Sequence, residues 1–369
     1  MRGDGNKKGV TKMKKLGVGI VGCGRISDLH ELGYRGRSDA AIVAVCDINR
    51  ELAEQKAKAW GAQKIYTGYH QLLEDKSVDL VELLLPHHLH AAMTVEACRA
   101  GKHVSVQKPM ATSISDADAM IKAAAENNVM LRIYETFVFY PPAVKAKEMI
   151  EAGEIGEPQM LRMHVSTGKT ECGWEVPFDA WVWRFNEKEC GGGPMIFDHG
   201  YHLFSLAYYL MGPVEKTYAW IDRSHIMLDL HLDAPAVIMF KFKADRRYGV
   251  FDLEHTPNMH VPSDYYVDDD RIEIVGDKGI LFINRYTCRS VDLPELMLYR
   301  DGKTTPIPVG RVDWADGFID CTRHMIDALQ NGGQPMLDGA AGRAVLQFSL
   351  AVQQSAKTGR EVRPDDVLK

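Results

Sequence analysis

The stretch "LGVGIVGCGRIS", residues 16–27, decides the fold: a short apolar run that ends in Gly22-x-Gly24-x-x-Ser27. Two glycines at the end of a strand let the backbone turn tightly and approach a pyrophosphate at the N-terminus of the next helix. Alone, this pattern also fits a glycine turn in other doubly wound domains. A second apolar run, "AIVAVCD" at 41–47, adds the missing context because it ends in Asp47, 23 residues beyond Gly24. A carboxylate there accepts hydrogen bonds from an adenosine ribose. Strand, glycine turn, helix, strand and acid occur in order, so Gly22, Gly24, Arg25, Ile26 and Asp47 form the candidate cofactor cradle. Asp47 repels a 2′-phosphate, which favours NAD; Arg50 nearby keeps NADP as the second choice. Ser27 occupies the third small position and is only slightly larger than Ala.

Working outward, "VDLVELLLP", "KHVSVQ" and "VMLRIYE" continue the strands, and "RELAEQKAKAW" and "SDADAMIKAAAENN" read as crossover helices, the second capped by Ser115. Such alternation predicts a parallel sheet covered by helices on both faces. The texture changes at Pro141 and Pro142, so a doubly wound α/β domain is expected over 14–136 and a second, α+β domain over 137–369. In the second, strands are expected at 159–166, 214–221, 236–243, 248–254 and 271–283 in an open, mainly antiparallel sheet, with a helix at 194–210. The last 55 residues return to helix and are free to pack on either domain.

Composition narrows the partners. With 369 residues, 46% of them apolar, the chain can bury a substantial core. Its formal charge of 44 minus 50, or −6, and the lack of a long basic run point away from nucleic acid and anionic membranes, towards a small soluble molecule. Seven scattered cysteines without a C-x-x-C pair fit neither a disulfide framework nor a zinc site, and suggest a reducing, cytoplasmic setting. No apolar run approaches the roughly 18 residues of a membrane helix. The polar "MRGDGNKKGVTKMKK" reads as a flexible lead-in rather than a signal peptide, with Met13 an alternative start.

A second motif lies in "GGGPMIFDHGYHLFSLAYYLMG", residues 191–212, where Pro194 suits a first helical turn and Gly212 a stop. On that helix Asp198 and His202 are i and i+4, about 5–6 Å apart at Cβ, while His199 points elsewhere. A carboxylate that orients an imidazole is a general-base arrangement; an ordinary helix-stabilising pair is the competing reading. The glycine-rich approach is expected to let a ligand come close. In "HVSVQKPMA", 103–111, a strand ends in Lys108, whose backbone Pro109 restricts. Trp183 and Arg184, near the glycine run, are candidates for a substrate pocket, and Tyr134, Glu135 and Phe137 for a cofactor edge. "PHHLH", 86–90, crowds His87, His88 and His90, yet three histidines within four residues do not converge on one ion, so no metal is expected.

Together these motifs, with "PPAVKAKEMIEAGEIGEP", "IEIVGDKGILFI" and "SAKTGREV", resemble the Gfo/Idh/MocA oxidoreductases over nearly the whole chain. The resemblance implies an N-terminal Rossmann domain and a C-terminal domain whose open sheet serves as an oligomer interface, hence a homo-oligomer, dimer or tetramer. It implies NAD- or NADP-dependent oxidation or reduction of sugars, cyclitols and related polyols, with Lys108, Asp198 and His202 around the reacting carbinol. Pro86 and His90 match the family's loop beside the nicotinamide, where His87 is placed against the ribose. Gln107 stands where the family usually has Glu, keeping hydrogen bonds but not the charge. In these roles His202 takes the hydroxyl proton, Asp198 holds its imidazole, and Lys108 stabilises the substrate oxygen. An NAD-dependent glycoside hydrolase or lyase working through transient oxidation, and a non-catalytic dinucleotide sensor, are the alternatives.

Overall fold

The computed structural model describes residues 15–170 and 173–368; the expected lead-in before residue 15 and Cys172 lie outside the described residues. The first domain is built on six strands, β1 Leu16–Val21, β2 Ala40–Cys46, β3 Lys64–Tyr66, β4 Leu80–Leu83, β5 His103–Gln107 and β6 Leu131–Tyr134. They form one parallel sheet in the order β3-β2-β1-β4-β5-β6. Helices α1 Ser27–Glu31, α2 Arg50–Trp60, α3 Tyr69–Glu74, α4 His87–Arg99 and α5 Ile114–Glu126 connect them. The order reverses between β1 and β4, and it is at the carboxyl ends of strands flanking such a point that doubly wound sheets bind ligands. Side chains of β1 and β4 are almost wholly buried, as strands covered on both faces require.

Local chemistry sets the boundaries. Asn49 caps α2 by accepting the Leu52 N–H at 3.2 Å, and Gly61 ends it in the left-handed region at φ 76°. For α5 the cap is Ser113, which accepts the Asp116 N–H at 3.2 Å, rather than the expected Ser115. Strand β3 was not legible because it is three residues at the sheet edge, too short to show a period.

The second domain opens with α6 Pro141–Glu151 and β7 Pro158–Lys169, followed by single turns α7 Phe178–Trp181 and α8 Glu187–Cys190. The expected helix at 194–210 is a six-residue π-helical stretch, Pro194–His199, running into α9 Gly200–Met211. Then come β8 Val214–Ile221, the ribbon β9 Ser224–Met227 and β10 Leu230–Leu232, β11 Ala236–Phe242, β12 Tyr248–His260, β13 Asp268–Gly276, β14 Gly279–Ile283, β15 Leu296–Arg300 and β16 Lys303–Pro306. Eight of these form one sheet, β16-β15-β14-β13-β7-β12-β11-β8, antiparallel except where β7 meets β12. The single strand expected at 271–283 is thus two strands joined by a tight turn.

One face of this sheet is covered by α6, α9 and the final helix. The opposite face leaves Trp220 beside Val237 and Tyr218 beside Met239 across the β8–β11 pair, with Trp220, Val237 and Met239 exposed. Of the C-terminal helices, α10 Trp314–Asn331 packs on α1 and on the turn Phe137–Phe139 that follows β6, and α11 Gly339–Thr358 packs on both sheets, through β6 and β8. Fully buried Arg132 of β6 stitches α10 to the parallel sheet, donating to the Cys321 carbonyl and, at 2.9 Å, to Ser105 Oγ. Tyr134 donates to the Phe318 carbonyl at 2.9 Å, and Tyr201 to that of Gly342 at 3.1 Å. Arg132→Ala removes this cation's bonds and opens a cavity, so it is expected to cost about 3 kcal/mol or more of stability, read from urea unfolding.

Candidate active site

The glycine turn is held open by its own neighbours. Gly22 has φ +94°, and a Cβ there would stand 2.2 Å from the Leu84 carbonyl oxygen, so only glycine fits. At Gly24 a Cβ would meet nothing within 4 Å, which leaves the concavity of the turn clear for a pyrophosphate. Asp47 has two tasks: Oδ2 accepts the Cys23 N–H at 2.7 Å and Oδ1 accepts the Asn49 N–H at 2.8 Å. A carboxylate has about four acceptor positions, so capacity remains for a ribose. Ser27 is buried and its hydroxyl donates to the Gly24 carbonyl at 2.6 Å, binding the turn together. Arg25 crosses to the second domain, its guanidinium 4.4 Å from the Trp174 ring centroid, while Ile26 packs into the core and Arg50 pairs with Glu54 on the exposed face of α2.

Beyond the ends of β4 and β5 the two domains meet in a charged cluster centred on Asp198. Lys108 Nζ donates to Asp198 Oδ1 at 2.7 Å and to its backbone carbonyl at 2.8 Å. Arg184 Nε donates to Oδ2, and His87 Nε2 lies 3.3 Å from Oδ1. Burial alone would raise the pKa of Asp198, but Lys108 and Arg184 hold it well below the usual carboxylate range. The guanidinium of Arg184 also lies 4.5 Å from the ring centroid of Trp183, and that ring meets His87 edge-on at 4.7 Å.

The structure corrects the expected pairing of Asp198 with His202. His202 Nδ1 faces Glu135 Oε1 at 2.7 Å, and the same oxygen accepts the Phe137 N–H at 2.8 Å. Two fixed cations claim Asp198, whereas the buried end of β6 delivers Glu135 to the imidazole. Phe137 stacks on the His202 ring at 4.3 Å and 11°, and Tyr286 stacks on Phe137 at 4.2 Å, which fixes the ring plane. Burial lowers the His202 pKa to about 4; Glu135 opposes that shift, and Lys108 and His199 add to it. Glu135, read from sequence as a cofactor-edge residue, is therefore the imidazole's partner.

Other expected residues take structural tasks. His90 has Nδ1 2.8 Å from the Pro109 carbonyl and Nε2 2.9 Å from that of Leu85, so it ties the loops after β4 and β5 together. His87 follows Pro86 at the start of α4, and its Nδ1 faces the Cys190 carbonyl at 2.7 Å, which buries it behind Asp198. His88 is exposed, whereas His87 and His90 are buried. Among the described residues His164, Asp252 and Glu254 do place ligand atoms within 4.8 Å of one another, on β7 and β12, with His164 Nδ1 2.6 Å from Asp252 Oδ2. Gln107 turns away from the Lys108 ammonium. Its Oε1 accepts the Lys108 N–H at 2.8 Å, and its Nε2 lies 3.1 Å from His30 Nε2. His30 Nδ1 faces Glu82 Oε1 at 2.8 Å, so a fully buried carboxylate on β4 lies behind Gln107, through His30.

The run Gly191–Gly193 makes room for protein rather than for a ligand. A Cβ at Gly193 would stand 2.2 Å from Asp233 Cγ. Asp233, half-buried, accepts the Met195 and Ile196 N–H groups at 2.8 Å each, capping the π-helical stretch that carries Asp198. This residue had no signal in the sequence beyond being an acid before Pro235.

Comparison with known proteins agrees with this geometry. Residues 16–135 match the model described as "Oxidoreductase family, NAD-binding Rossmann fold", and residues 143–282 match the GFO/IDH/MocA C-terminal domain. The chain belongs to the Gfo/Idh/MocA oxidoreductase family. It is 26% identical to the myo-inositol 2-dehydrogenase of Thermotoga maritima, covering 95% of this chain and 99% of that one. It is 28% identical to the levoglucosan dehydrogenase of Pseudarthrobacter phenanthrenivorans, over 93% and 97%. An oxidoreductase from Agrobacterium radiobacter, solved with NAD+, L-tartaric acid and magnesium, shares the fold with a TM-score of 0.79 at 21% identity, covering 95% of this chain and 99% of that one. This chain is accordingly an oxidoreductase acting on CH–OH groups, with an NAD-binding Rossmann domain.

Asp233→Ala leaves two buried N–H groups unpaired. It is expected to cost about 2 kcal/mol in urea unfolding, with a loss of order at the π-helical stretch read from hydrogen exchange of Met195 and Ile196.

Proposed function

We propose that the chain is an NAD-dependent dehydrogenase that transfers a hydride between a secondary hydroxyl of a sugar, glycoside or cyclitol and the nicotinamide. The observation that carries this reading is the ion pair of Lys108, from the end of β5, with Asp198, four residues before His202 of α9. The named inositol and levoglucosan dehydrogenases support the substrate class. The residues of the glycine turn fit the cofactor: the backbone from Gly22 to Ile26 would hold its pyrophosphate and Asp47 its ribose.

When bound, NAD+ supplies the hydride acceptor. The chain manages the proton and the developing charge. Loss of hydride from a carbinol carbon must be matched by loss of the hydroxyl proton, and His202 takes it on Nε2 while Glu135 holds Nδ1–H and stabilises the cation formed. Lys108, aimed by Asp198, donates to the substrate oxygen and stabilises its alkoxide character. Trp183 and Arg184 border the sugar. His202 is basic down to about pH 4, so kcat/KM for oxidation is expected to hold through neutral pH and fall as pH approaches that value, where the ring protonates.

A panel of monosaccharides, inositols and glycosides with NAD+, followed by NADH absorbance, tests this reading. Lys108→Ala and His202→Asn are each expected to lower kcat/KM by roughly 10²- to 10⁴-fold; unchanged rates would refute the assignment. Product release without NADH accumulation would instead indicate hydrolysis or elimination through transient oxidation. The anionic Asp47 favours NAD over NADP, and tighter NADP binding by calorimetry would overturn that preference. We also place the protein in the cytoplasm, on the strength of its six described cysteines, all buried and free. The exposed Trp220, Val237 and Met239 support a homo-oligomer, dimer or tetramer, through the open sheet.

A further inference from the structure

His199 has no part in the proton and hydride steps, yet the fold holds it with care. Its Nε2 lies 2.9 Å from Asp270 Oδ1 and its Nδ1 3.6 Å from Asp268 Oδ2, both on β13. Asp270 is fully buried, which is costly for a carboxylate unless a cation meets it. The His199 ring centroid is 5.7 Å from that of His202 at 72°, and 6.1 Å from that of Phe137 at 83°. The two histidines sit three residues apart, on the π-helical stretch and the first turn of α9, and Phe137 stacks on His202 while meeting His199 edge-on.

We propose that Asp268, His199 and Asp270 form a charge bracket that acts through His202: a cation held behind the base keeps it unprotonated between turnovers. The inference rests on the reading of His202 as the base. Burial pushes the His199 pKa down, but Asp268 and Asp270 hold it up, to about 9, so the ring is an imidazolium at neutral pH. The groups facing His202 are Glu135 at the end of β6, Lys108 after β5, itself paired with Asp198, and His199. Those facing His199 are Asp268, Asp270, Lys108 and His202. A unit charge about 6 Å away in a partly dry site disfavours a second cation strongly enough to move a pKa by about one to two units. His202 thus binds the hydroxyl proton only while an alkoxide is forming beside Lys108, and gives it up readily afterwards. Asp268 and Asp270 also tie β13 to the stretch that carries Asp198.

Histidine ring titration by NMR in the full-length protein tests this without a substrate, using ¹³C-labelled histidine and His202→Gln to assign the signal. Two neutral replacements of different polarity, His199→Gln and His199→Met, are compared with His199→Lys, which keeps a cation. Either neutral variant is expected to raise the His202 pKa by about one unit, and the acid limb of kcat/KM should move up with it; the lysine variant should titrate as the unmodified protein does. An unmoved His202 titration in a folded neutral variant would overturn the bracket, whatever its activity. Full activity in His202→Gln would instead refute the base assignment, while leaving the electrostatic coupling measurable.

Discussion

The Asp198 carboxylate is the constraint on which the site depends. It is almost fully buried, and a buried anion persists only with opposite charge and hydrogen bonds around it. Lys108 arrives from the parallel sheet and Arg184 from the segment before the glycine run, and both close on it. The anion therefore aims the lysine and also holds two domains in register. Because it is committed to those cations, another carboxylate must orient the imidazole, and Glu135 at the end of β6 does so.

This division of labour follows from the topology. Strands β4, β5 and β6 all end on one side of the parallel sheet, delivering Pro86, Lys108 and Glu135 to a common crevice. The π-helical stretch and α9 come from the second domain and supply Asp198, His199 and His202. Asp233 caps the stretch, β13 braces it through Asp268 and Asp270, and α11 packs across both sheets. The side chains of the site are thus held by elements that are themselves locked by packing.

Much of this was legible in the sequence. The Gly22–Gly24 turn and Asp47 gave away the first domain, because the turn and the close approach admit few other residues. Lys108, Asp198 and His202 could be singled out from their motifs and the family resemblance; the structure sets Lys108 on Asp198 and His202 on Glu135. What could not be read was who pairs with whom. Helical spacing made Asp198 and His202 neighbours, but spacing cannot say that an arginine 14 residues upstream and a lysine 90 residues upstream will compete for the carboxylate. The glycine run looked like an approach for a ligand, yet it accommodates Asp233, which lies 40 residues beyond Gly193 in the chain. Gln107 looked like a loss of charge beside Lys108; the carboxylate of its network sits on β4, at Glu82, where a buried acid in an apolar strand is the one sequence signal that could have been followed.

Double-mutant cycles in urea unfolding test the central claim most directly, with Asp198→Asn combined in turn with Lys108→Met and His202→Gln. If Asp198 is the counter-ion of the lysine, its coupling to Lys108 should exceed about 1 kcal/mol while its coupling to His202 stays below about 0.5 kcal/mol. The opposite ranking, with the strong coupling to His202, would contradict the account.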